Sequence, residues 1–157
     1  MNNNNTDPNA VQRVAEYATN LNFDDIDDLA ITRSKQVVLD TIGTALGGYQ
    51  SRLGKLSTDY AKEVFAGDQA SLIGDGGTST VEGAAWANGT MAKYLGMDDS
   101  HRICGHVAAE LVPVILALGE RHNISGRQAI KALAAGYDVF GVIQPAVEDP
   151  QRERGLD

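Results

Sequence analysis

Thr80-Val81-Glu82-Gly83-Ala84-Ala85-Trp86-Ala87-Asn88-Gly89-Thr90-Met91-Ala92-Lys93-Tyr94 is the stretch that decides the fold. It reads as a helix over about Val81 to Tyr94, capped by Ser79 or Thr80 and crowded with small residues: Gly83, Ala84, Ala85, Ala87, Gly89 and Ala92. Small side chains let helix backbones approach closely, so this is expected to be a central, heavily contacted helix.

Working towards the N-terminus, Gly74 to Thr80 is glycine-rich but lacks the Gly-Lys-Ser/Thr ending of a phosphate loop, and reads as a turn. Ala70 to Ile73 is a short, extended segment. A third helix is expected from Leu56 to Phe65, ending at Gly67. The apolar residues Ile31, Val37, Val38, Ile42, Ala45 and Leu46 place a second helix over Ala30 to Leu46, with Gly47-Gly48 as its stop. Asp24-Asp25-Ile26-Asp27-Asp28 lacks the glycine and distal glutamate of a calcium loop and reads as a solvated helix start. Asp7 and Pro8 suit the cap and first position of the first helix, whose apolar residues are Val11, Val14, Ala15 and Ala18. Residues 1 to 6 read as a disordered tail.

In the other direction a fifth helix is expected from Ala109 to Arg121, with Pro113 tolerated only in its first turn. Ser125 should cap a last helix over Gly126 to Gln144, buried along Ile130, Leu133, Ala134, Tyr137 and Gly141 and ended by Pro145. Residues 148 to 157 are a charged tail without a core pattern. No alternation persists long enough for a sheet. The expectation is an all-α domain over residues 7 to 147, with about six helices and at most one short hairpin or strand.

The composition narrows the function. A chain of 157 residues, 43% hydrophobic and 22% charged, suffices for one domain with a core. A net charge of −8 argues against nucleic acid and anionic membrane surfaces as partners. The longest apolar run, Leu111 to Leu118, is too short to span a bilayer. With no secretory signal pattern at the N-terminus and Cys104 as the single cysteine, the expected location is cytoplasmic and an intrachain disulfide is excluded.

The chemistry concentrates between the fourth and fifth helices, in Tyr94-Leu95-Gly96-Met97-Asp98-Asp99-Ser100-His101-Arg102-Ile103-Cys104-Gly105-His106. Histidines move protons near neutral pH, carboxylates orient them, and an arginine holds an anion. Asp98 is close enough in sequence to orient His101. His106 follows a glycine that leaves room for a ligand and precedes a helix start that favours negative charge. A zinc site from Asp98, His101 and His106 lacks a closing ligand, and Cys104 lacks the helix-start position or partner of a nucleophile. Ordinary turn aspartates and a surface His–Asp contact are the plain alternatives.

Several motifs in order carry a resemblance. Phe23-Asp24-Asp25-Ile26, Asp40-Thr41-Ile42-Gly43 with Ala45-Leu46-Gly47-Gly48, Ala87-Asn88-Gly89-Thr90, Met97-Asp98-Asp99-Ser100-His101, Gly105-His106, Pro113 and Ala135-Gly136-Tyr137-Asp138-Val139 together resemble the MmgE/PrpD family. That family includes 2-methylcitrate dehydratase, cis-aconitate decarboxylase and related epimerases. The resemblance implies the first part of a large helical domain, the rest of it and a lid domain lying downstream in family members. It implies a lyase like 2-methylcitrate dehydratase, or an epimerase, acting on a small polycarboxylate without a cofactor or metal, as a homodimer. His106 matches the family's active-site histidine, and Asp99 and His101 match its neighbouring loop positions; the candidate catalytic residues are then His106, His101, Asp99 and Asp98, with Arg102, a carboxylate partner by its chemistry, and Asn88 as candidate substrate-binding residues. Gly96 stands where the family usually carries an aspartate, and Val107-Ala108 replace its usual Pro-Ser. Those departures motivate the alternative of a non-catalytic remnant or a helical dimerisation or interaction module.

Overall fold

The computed structural model describes residues 9–102 and 105–153, with side chains as far as 145. Six α-helices, one 3-10 turn (Phe23–Asp25) and one small hairpin are the regular elements of the described residues: α1 (Ala10–Asn20), α2 (Asp28–Tyr49), α3 (Arg52–Val64), β1 (Ala70–Ser71), β2 (Thr78–Ser79), α4 (Val81–Tyr94), α5 (Ala108–His122) and α6 (Gly126–Glu153). The all-α expectation holds, with β1 and β2 paired antiparallel across the glycine-rich turn. The tail 1–6, Asp7, Pro8, Ile103, Cys104 and the last four residues lie outside the described residues.

Helix α4 is central, as its small residues predict. It packs against α2, α3 and α5. Its buried Ala84 and Ala87 meet Ala61, Leu72 and Ala117 on one side, while Met91 and Ala92 meet Ala45 and Ala109 on another. Thr80 caps it by accepting the Gly83 N–H. A third cluster joins α5 to α6 through Ala108, Val112 and Leu133.

Several positions differ from the sequence reading, among them the start of α3, at Arg52 rather than Leu56. Gly47-Gly48 do not stop α2, which runs on to Tyr49. They lie where α4 crosses: a Cβ on Gly48 would stand 2.1 Å from the Met91 carbonyl oxygen. Pro113 is the sixth residue of α5 rather than part of its first turn. The Ala109 carbonyl, deprived of its i+4 donor, lies against Gly89 of α4, where a Cβ would be only 3.1 Å away. Pro145 does not end α6, because a proline removes one backbone bond while those on either side carry the helix on to Glu153 and into the charged tail. At the N-terminus Asn9, rather than Asp7, caps α1, exchanging hydrogen bonds with Gln12 in a capping box. Asp27 caps α2 and Ser125 caps α6, the latter again reciprocally with Gln128.

Candidate functional site

The loop from α4 to α5 is shaped by two left-handed glycines. Gly96 has φ +60° and Gly105 has φ +68°, so the chain leaves α4 sharply and turns again just before α5. Between them His101 and Gly105 exchange backbone hydrogen bonds of 2.7 and 2.9 Å, closing the loop on itself and presenting His106 beyond it.

Asp98 is the buried centre of this loop, its side chain fully inaccessible. Its Oδ2 lies 3.2 Å from Nδ1 of His106 and 3.3 Å from Nζ of Lys93, the basic residue in the last turn of α4. Its Oδ1 is buried and has no hydrogen-bond partner among the described residues. The histidine that Asp98 meets is thus His106, five residues further than the His101 suggested by sequence proximity. A carboxylate on Nδ1 fixes the ring so that Nε2 is the nitrogen left for other work, and His106 is 44% exposed, so it is reachable.

Asp99 does something different. One of its oxygens accepts the Ala108 N–H at 2.9 Å, capping α5 from nine residues upstream, where Val107 offers no side-chain cap. The other accepts the Tyr137 hydroxyl of α6. The helix start that sequence reading offered to a ligand anion therefore has Asp99 on its Ala108 N–H. His101 packs edge-on to the Tyr137 ring, with centroids 6.5 Å apart. Arg102 is exposed at the loop's turn.

Asn88 is not joined to this cluster by any hydrogen bond of the described residues. It is buried in α4, and its amide accepts from Ile73 N–H and donates to the Ser71 carbonyl, both at 2.9 Å, holding the hairpin on the helix. Sequence reading placed Tyr137 only in a buried stripe and passed over Lys93. Tyr137 lies within a quoted family motif, but its 38-residue separation from Asp99 hid the contact. Lys93 carried no signal, because its approach to Asp98 depends on how the chain turns at Gly96. Among the described residues no group of three or more His, Cys, Asp or Glu is arranged to hold a metal ion. No helix there is long and apolar enough to cross a membrane.

This arrangement can carry general acid–base chemistry: a reachable imidazole oriented by a buried carboxylate, with an ammonium at the end of α4 and a guanidinium on the loop for anionic groups. The chain is 26% identical over 119 residues to human cis-aconitate decarboxylase, an alignment covering 73% of this chain and 25% of that protein. The chain thus spans about a quarter of the length of that relative. No solved structure matches. The family model of the MmgE/PrpD N-terminal domain matches residues 12–157, and so the chain belongs to the MmgE/PrpD family through that domain.

Proposed function

We propose that this chain supplies the histidine-bearing half-site of a cofactor-independent lyase or epimerase acting on a small polycarboxylate such as 2-methylcitrate. The observation that carries the reading is the contact between buried Asp98 and reachable His106. Removing water or carbon dioxide from such an acid, or inverting a centre in it, needs a base at a carbon-bound proton and an acid for the departing or arriving group. His106 Nε2 fills the first role and His101 the second. Asp98 positions His106, Asp99 holds the loop to α5 and α6, and Arg102 meets a carboxylate. Asn88, its amide engaged by the hairpin, supports the fold. The 2-methylcitrate dehydratase-like reaction is the family expectation among these alternatives, in the cytoplasm and in a homodimer.

The test is product formation from citrate-like acids, followed by NMR. The parent converts at least one of them, and His106→Gln lowers the rate about a hundredfold or more, the usual contribution of a general acid or base. Equal rates for parent and variant would remove His106 from the mechanism.

Exposed apolar surface favours a second reading, a helical interaction module. Val11, Val142 and Ile143 border a groove of about 880 Å³ between α1 and α6, and Leu56, Tyr60 and Trp86 form another exposed patch on α3 and α4. Self-association of the chain, with no turnover of any citrate-like acid, is the result this reading expects.

A further inference from the structure

We propose that Lys93 is a ligand for one carboxylate of the substrate, held beside His106 by Asp98; this rests on the polycarboxylate reading above. Lys93 Nζ and His106 Nδ1 both approach the same oxygen of Asp98, at 3.3 and 3.2 Å. The ammonium and the imidazole are therefore no further apart than two hydrogen-bond lengths. One small acid bridges that span, with a carboxylate on the ammonium and a reacting carbon near the ring.

The allotment of partners on Asp98 supports a mobile role. Oδ2 has both nitrogens within 3.3 Å, while the buried Oδ1 has no hydrogen-bond partner among the described residues. When Lys93 turns to a ligand, Asp98 keeps His106, so the orientation of the imidazole does not depend on the ammonium staying in place. Exposure separates the members in the same sense: the Asp98 side chain is fully buried, whereas that of Lys93 is 49% exposed. Lysine suits the task, being a compact point charge on a flexible stem that can leave one carboxylate for another. Together with Arg102 it gives the site two cations for an acid with two or three carboxylates.

The test is calorimetric titration of the chain with tricarballylate, which has three carboxylates and no hydroxyl to eliminate. Lys93→Met should weaken binding about tenfold, the worth of one charge-assisted contact. Lys93→Arg, which keeps the charge, should stay within about threefold of the parent. Lys93→Gln serves as a second neutral variant if the methionine variant folds poorly, and binding is compared at a urea concentration and temperature where unfolding shows every variant to be folded. Neutral variants that bind as tightly as the parent would overturn the role of Lys93 and leave the polycarboxylate reading standing. So would Lys93→Arg weakened as much as Lys93→Met at equal stability. A parent that binds no tricarballylate would remove the reading itself, and the proposal with it.

Discussion

Replacing Gly48 by alanine probes the packing that carries the site. The new Cβ would sit 2.1 Å from the Met91 carbonyl oxygen and 2.8 Å from its carbon, whereas real contacts essentially never fall under 3.0 Å. Both obstacles are backbone, so α2 and α4 must part by about 1 Å. A gap of that size forfeits roughly a quarter to a half of the dispersion energy across the contact. The contact includes Ala45, Met91 and Ala92, all fully buried. Overpacking of this kind costs about 2–3 kcal/mol, against roughly 0.5–1 kcal/mol gained from alanine's better helix propensity. The net loss of about 2 kcal/mol lowers the urea midpoint by about 1 M at a typical denaturant slope. Two neighbours on the same helix serve as controls. Gly43 has nothing within 4 Å of its would-be Cβ, so Gly43→Ala should stabilise by about 0.5–1 kcal/mol. Gly47 would meet only the tip of Leu95, a half-exposed flexible side chain, so Gly47→Ala should be near neutral. A Gly48→Ala variant as stable as the parent would refute the reasoning, as would a Gly43→Ala variant that loses as much.

Three further perturbations test separate contacts. Asp99→Ala removes the cap on α5 and the acceptor for Tyr137, and should cost about 1–2 kcal/mol in urea unfolding, with Tyr137→Phe costing less. Burial pushes the Asp75 carboxyl up, but the Lys62 ammonium, the Tyr49 hydroxyl and the Gly77 N–H outweigh it and hold the group below its ordinary value. A depressed carboxylate contributes stability above its unfolded value and loses it as pH falls through the folded one, so Lys62→Met should move acid unfolding to higher pH. The Tyr17 phenol is raised to about 12 by its hydrogen bond to Asp138, then by burial and the Asp138 charge. That contribution is present below the ordinary phenol value of 10.0 and disappears as pH rises through about 12. Ultraviolet titration should show Tyr17 ionising late, and Asp138→Asn should bring it back towards its ordinary value.

The fold was legible where the pattern was local. The bounds of α4 and its Thr80 cap follow from its own residues, as does the reciprocal Ser125–Gln128 cap of α6. The misreadings came from residues whose meaning is tertiary. Gly47-Gly48 look like a helix stop until α4 is laid across them, and Pro113 and Pro145 look like breakers until the bonds around them are seen to continue. The candidate site divides in the same way. Residue types and spacing picked out the loop and the importance of His106. They did not show that Asp98 is buried on Nδ1 of His106, that Asp99 is spent on Ala108 and Tyr137, or that Asn88 is spent on the hairpin. The loop assignments depend on two left-handed turns, at Gly96 and Gly105, that no side-chain pattern announces, and that of Asn88 on where the hairpin packs against α4.

The most direct measurement of the central claim is solvent deuterium wash-in. The protein is held with a citrate-like acid in heavy water, and the recovered acid is read by NMR for deuterium at its carbon-bound positions. Proton abstraction by His106 predicts incorporation by the parent that falls about a hundredfold or more in His106→Gln. Incorporation at the same rate by that variant, or none by the parent with any acid of the class, would contradict the account.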